Sequence, residues 1–147
     1  MPEVRPLFKK DIQQLLAIEQ SVQVVPWTAD TFKTCFEAGH SGWVIEDDQK
    51  IISFIITSMR VEECHILNFC VARDSQRQGY GQHLLKHLLA EAKKQGIGII
   101  YLEVRRSNTR AIALYEKMQF QQIGERKGYY PTISGNEDAL IFARYVG

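Results

Sequence analysis

His65-Ile66-Leu67-Asn68-Phe69-Cys70-Val71, then Gln76-Arg77-Gln78-Gly79-Tyr80-Gly81, then His83-Leu84-Leu85-Lys86-His87-Leu88-Leu89: in this order the chain reads as an apolar strand, a glycine-bearing turn and a helix. Leu84, Leu85, Leu88, Leu89 and Ala92 recur at helical spacing, and Lys93, Lys94 and Gly96 supply a basic last turn and a stop, so a helix is predicted over 79–95. The first turn of such a helix carries unpaired N–H groups and a partial positive charge, which together make an anion site. Gly79 and Gly81 let a ligand approach the backbone, and Arg77 adds a charge able to fork onto a phosphate. A diphosphate is the expected guest. Two familiar phosphate loops do not fit: there is no Gly-Lys-Ser/Thr, and Leu84 stands where the dinucleotide pattern needs a third glycine. A plain strand-to-helix turn with a solvated arginine would use the same residues.

Outward from this unit, Val4 to Phe8 reads as a first strand, and Asp11 with Gln14 as a capping pair opening a helix that carries Ile12, Leu15, Leu16, Ile18 and Val22. Val24 to Thr28 reads as a loop with Thr28 as N-cap, Trp27 and Phe32 as a hydrophobic staple, and Phe32, Cys35 and Phe36 as the buried face of a helix ended by Gly39. Strands follow at Trp43 to Glu46, at Lys50 to Arg60 and up to Val71, with Asp47-Asp48-Gln49 and Val61-Glu62-Glu63 as turns: an antiparallel meander. Ile97 to Val104 is a strand that a crossover helix places parallel to its predecessor. A second crossover helix starts at Asn108, with Ala111, Leu114, Tyr115 and Met118 on one face, and strands at Phe120 to Lys127 and Ala139 to Tyr145 close the chain. The expected fold is α/β, a mixed sheet of about seven strands with helices on both faces.

The chain of 147 residues, 45% apolar and 24% charged, fits one domain over 1–147. A formal charge of +1 provides no field for a polyanion such as duplex DNA. Cys35, Cys64 and Cys70 match neither a disulfide framework nor a zinc pattern, which points to reduced thiols in the cytoplasm. The N-terminal residues lack the apolar core of a signal peptide, and the longest apolar runs are too short to span a bilayer. His83 and His87 are four apart on a helix, but with Leu84 between them and no third ligand they are read as solvated or capping residues.

Two side chains have the character of a proton acceptor and a proton donor. Glu103, in Tyr101-Leu102-Glu103-Val104, places a carboxylate on a strand between apolar neighbours, where desolvation favours a proton acceptor. An edge-strand glutamate pairing with Arg105 or Arg106 fits the same alternation. Tyr115 stands seven residues after Asn108, close to two helical turns, so both lie on one face. A tyrosine there is also an ordinary core residue with a polar tip.

Gln76-x-x-Gly79-x-Gly81 resembles the acetyl-CoA signature of the GNAT acetyltransferase superfamily, Gln/Arg-x-x-Gly-x-Gly/Ala, at every specified position. Leu102-Glu103-Val104-Arg105, Ser107-Asn108, Ala111 to Glu116, Phe120, Tyr129-Tyr130-Pro131, Glu137-Asp138-Ala139 and the earlier Pro26-Trp27 are similar to the bacterial ribosomal-protein-alanine N-acetyltransferases (RimI type) of that superfamily. Gln119 departs from the family, which usually has glycine there. The resemblance implies a GNAT fold and acetyl-CoA as cosubstrate. Backbone groups of Phe69, Cys70 and Val71 would hold the acetyl and pantetheine portions, and Arg77, Gln78, Gly79, Tyr80, Gly81 and Gln82 the diphosphate. Asn108 would be a further cofactor contact, Glu103 the proton acceptor, directly or through water, and Tyr115 the proton donor. The implied acceptor is the N-terminal alanine of a small-subunit ribosomal protein. A monomer is expected, with no metal, no membrane and no direct contact to nucleic acid. A small amine or a lysine as acceptor, or a non-catalytic acyl-CoA-binding module, are the competing readings.

Overall fold

The computed structural model describes residues 2–147. One sheet runs through it in the order β1-β2-β3-β4-β5-β7-β6, where β1 is Glu3–Pro6, β2 Ser41–Asp47, β3 Lys50–Arg60, β4 Glu63–Val71, β5 Ile99–Arg105, β6 Gln121–Thr132 and β7 Gly135–Tyr145. The helices are α1 (Ile12–Val22), α2 (Ala29–Glu37), α3 (Tyr80–Lys94) and α4 (Thr109–Lys117). Strands β1 to β4 form the antiparallel meander, and α3 carries the chain across to β5, parallel to β4. At the β2–β3 turn Asp48 and Gln49 both have positive φ, 52° and 66°, the twist a two-residue hairpin prefers.

Each face of the sheet has its own core. On one, Leu84, Leu85, Leu88 and Ala92 of α3 pack with Tyr115 of α4 and with Ile100, Leu102 and Val104 of β5. On the other, Leu15 of α1 and Phe32 of α2 pack on Val44, Phe54 and Ile56. The start of α2 is as its sequence dictates: the Thr28 hydroxyl accepts from Thr31 N–H at 3.2 Å, and the Trp27 and Phe32 rings meet edge to face at 5.2 Å. Among the described residues no helix is long and apolar enough to cross a membrane.

Three local expectations change. Asp11 and Gln14 form no capping pair: Asp11 is 3% exposed and ion-paired with Arg5 at 2.9 Å, while Gln14 accepts from Ile51 N–H at 2.8 Å. A carboxylate that deep needs a cation more than α1 needs a cap. β6 continues past Lys127 to Thr132, and β7 begins at Gly135 rather than Ala139, so Tyr129-Tyr130-Pro131 lies on a strand. That part of the hairpin is mostly exposed and carries no apolar alternation to announce it. Third, β1 ends at Pro6, two residues earlier than read. Gln119 does adopt a left-handed backbone, φ 69°, just past α4, and its side chain accepts from Arg144 at 3.3 Å.

Candidate active site

The parallel pairing of β4 and β5 runs only from Glu63 opposite Ile99 to Ile66 opposite Leu102. Beyond that point β4 keeps β3 and β5 keeps β7, and the two strands part. A cleft of about 290 Å³ opens in the fork, lined by Asn68, Phe69, Glu103, Asn108, Tyr115 and Tyr130, with Glu19, Gln23 and Trp27 closing one side. A bulge at Leu67 changes the phase of β4: Cys64 and Ile66 face α3 and α4, whereas Asn68 and Cys70 lie on the α1 side. Phe69 and Val71 therefore turn toward α3, where a Cβ on Gly81 would meet Phe69 at 3.3 Å, Leu114 at 3.2 Å and Val71 at 3.6 Å.

That close approach is what Gly81 permits, and Gly79 serves a different need. Gly79 is the N-cap of α3 with φ 86°, and nothing would touch a Cβ there. The first bond of the helix is His83 N–H to Gly79 C=O at 3.0 Å, leaving the N–H groups that head α3 without intrahelical acceptors. Arg77 also has positive φ, 64°. Gln76 fixes the turn from both sides: its amide donates to Val71 C=O at 3.1 Å and its side-chain oxygen accepts from Arg110 of α4. These features fit a phosphate-bearing ligand laid along Arg77 to Gln82 and running down β4.

Glu103 is 13% exposed and lies just past the fork, on an interior strand of the sheet whose β4 side is unpaired there, and its partner is neither Arg105 nor Arg106. His65 Nε2 lies 2.6 Å from Glu103 Oε2, while Arg105 pairs with Glu137 at 3.1 Å and Arg106 with Glu125 and Asp138. Tyr115 comes from the opposite face, buried among Phe69, Phe120 and Phe142. Burial, with lesser contributions from Tyr130 and Cys70, pushes its hydroxyl well above the ordinary tyrosine range, so the proton stays on oxygen at neutral pH. Asn108 caps α4 through Ala111 N–H at 3.2 Å and lines the cleft.

Of the residues singled out in the sequence, Phe69, Glu103, Asn108 and Tyr115 share the cleft. Cys70 and Val71 continue β4 beyond it, and Arg77, Gln78, Gly79, Tyr80, Gly81 and Gln82 form the turn and the first turn of α3 outside its lining. The Cys70 thiol is raised to about 12 by burial and then by the charge of Glu19, which makes it inert.

Glu19, Asn68 and Tyr130, which line the cleft, are given no role by the sequence reading, nor is His65, which is bonded to Glu103 from outside that lining. Glu19, 1% exposed, accepts from Asn68 Nδ2 at 3.0 Å and Trp27 N–H at 2.9 Å, which ties the α1–α2 loop to β4. Burial raises its carboxyl despite those bonds. The signal available in sequence was a glutamate interrupting the apolar face of α1. Tyr130 is held under the Arg105 guanidinium, 4.6 Å from ring centroid, and burial followed by the charge of Glu103 raises its hydroxyl to about 12.

The model of the acetyltransferase (GNAT) family matches residues 10–120. The chain is 38% identical over 143 residues to the [ribosomal protein bS18]-alanine N-acetyltransferase of Escherichia coli strain K12, covering 97% of each. It superposes on the crystal structure of the ribosomal-protein-S18-alanine N-acetyltransferase from Escherichia coli with a TM-score of 0.95 at 37% identity, over 100% of this chain and 95% of the other. NAA60 of Arabidopsis thaliana, in a crystal structure in complex with acetyl-CoA, matches with a TM-score of 0.85 over 98% of each chain at 18% identity, a likeness of fold.

Proposed function

The chain belongs to the acetyltransferase (GNAT) family, and from that membership we propose that it moves the acetyl group of acetyl-CoA to the N-terminal alanine amine of ribosomal protein bS18. The observation that carries the reading is the fork: Glu103 and Tyr115 reach one cleft from opposite faces of the sheet, beside the free edge of β4. Acetyl-CoA supplies the thioester. The N–H groups heading α3 bind its diphosphate with Arg77, and Phe69, Cys70 and Val71 hold the pantetheine arm by their backbone. Glu103 takes a proton from the acceptor amine as the carbon–nitrogen bond forms. Tyr115 gives a proton to sulfur as the carbon–sulfur bond breaks. Asn108 contacts the cosubstrate from the head of α4. Residues 1–147 act as one catalytic domain, a monomer working in the cytoplasm.

The acceptor suits a modest base. An α-amine of pKa ~7.8 is roughly 10–15% neutral at pH 7, whereas a lysine of pKa ~10.4 is neutral in only a few molecules per ten thousand, going by ordinary values. Thiol release from acetyl-CoA, followed with alanine-ended peptides beside a panel of small amines, tests the proposal. Turnover of the peptide, reduced about a hundredfold or more in Glu103→Gln, is expected from the usual worth of a general base. Turnover of small amines alone would transfer the function to another acceptor. Acetyl-CoA binding without turnover of any amine would leave a binding module.

A further inference from the structure

Removing a proton from an amine inside a cleft leaves that proton on the base, and it must leave before the next cycle. Glu103 is the more buried member of its pair, 13% exposed against 43% for His65, so the imidazole spans from the carboxylate to solvent. The two are joined by a 2.6 Å hydrogen bond between strands whose register is fixed one step earlier by Ile66 opposite Leu102. No other neighbour of Glu103 suits the task among the described residues. Tyr130 holds its own proton up to about 12, and Arg105 is committed to Glu137 and to Pro131 C=O at 2.9 Å. Imidazole is the side chain that both accepts and releases a proton near neutral pH.

We infer that His65 is a positioning residue for the acetyl transfer, orienting Glu103 through Nε2 and carrying away to solvent the proton that Glu103 takes from the amine. The inference rests on the proposed acetyl transfer. In one cycle the amine nitrogen loses a proton to Glu103, Glu103 passes it to the unprotonated Nε2 as Nδ1–H releases one to water, and exchange with water then moves the ring proton from Nε2 back to Nδ1, which restores the acceptor. Tyr115 gives its proton to sulfur and recovers one from solvent, so no net proton is gained or lost by the protein.

The test uses the whole chain with acetyl-CoA and an alanine-ended peptide, comparing His65→Gln, which keeps a hydrogen-bonding group, with His65→Ala, which opens space beside Glu103. Both variants are expected to lose about tenfold or more in kcat, less than the roughly hundredfold or more that the base itself contributes, with KM for both substrates within about twofold. Free imidazole should restore a large part of the rate to His65→Ala and leave the wild type unchanged. Full activity in His65→Gln overturns the relay. So does a slow His65→Ala that imidazole does not rescue, since a merely structural loss would behave that way. A wild type that turns over no alanine peptide removes the acetyl-transfer reading itself and the relay with it, whereas an active wild type with unaffected variants removes the relay alone.

Discussion

At the scale of single residues, the two groups proposed for chemistry differ in how well the sequence exposes them. Glu103 is visible as a carboxylate between apolar strand neighbours, but its partner is set 38 positions away by β4–β5 register, which no local pattern encodes. His65 therefore stayed hidden, as did Glu19, whose bonds to Asn68 and Trp27 depend on α1 lying over the bulge in β4. The spacing of Tyr115 from Asn108 puts both on one helix face but fits a core tyrosine equally well, and its role as donor comes from the family resemblance. Because burial holds its hydroxyl above the ordinary value of 10.0, the donor stays protonated through the alkaline assay range. Tyr115→Phe should lower kcat about a hundredfold while changing acetyl-CoA affinity by less than about threefold, measured by initial rates beside equilibrium binding. In the wild type, the rate should show no descending limb from loss of this acid as pH rises toward 10.0.

At the scale of elements, α3 and its turn were the most legible part of the molecule, because leucine spacing, basic last turn and glycines are all local signals. The sequence could not distinguish the two glycines, which do different work. Gly79 relieves a left-handed backbone, while Gly81 lets α3 lie against Phe69 and Leu114. Gly81→Ala should therefore push on Phe69 of β4, the strand proposed to hold the pantetheine arm, and on Leu114 of α4. We expect a loss of about 1–2 kcal/mol, the low end for overpacking, together with a raised KM for acetyl-CoA. Gly79→Ala should cost about 1 kcal/mol from backbone strain alone. Denaturant unfolding beside acetyl-CoA titration separates the two. The β6–β7 hairpin was the least legible element, since its outer residues are exposed on a strand that points into solvent and its turn is fixed by Gly135, φ 143°, rather than by apolar rhythm.

At the scale of the whole molecule, the mixed sheet with helices on both faces could be read from the alternation of strand and helix signals alone. The point where two neighbouring strands stop pairing could not, because it follows from twist and from a bulge whose residues look like any strand. The interior also buries several acids that the unfolded chain would expose. Cys64, Cys70 and Tyr130 are raised to about 12 by burial, from 9.0 for the thiols and 10.0 for the tyrosine, and Tyr115 is raised as well. A raised folded value means stability is complete below the unfolded value and falls as pH climbs from about 9 toward 12, since only the unfolded chain has shed the proton. Each such group contributes up to about 1.4 kcal/mol per pH unit, which urea unfolding between pH 8 and 11 will register as a steepening decline. The short β4–β5 seam has a mechanical meaning too. A sheet joined at midspan by so few rungs behaves as two plates on a narrow hinge, with Phe69 riding on one and Glu103 on the other. A slight change of twist at that hinge alters the span between Phe69, where the thioester is proposed to lie, and the Glu103 carboxylate while every backbone ladder stays intact.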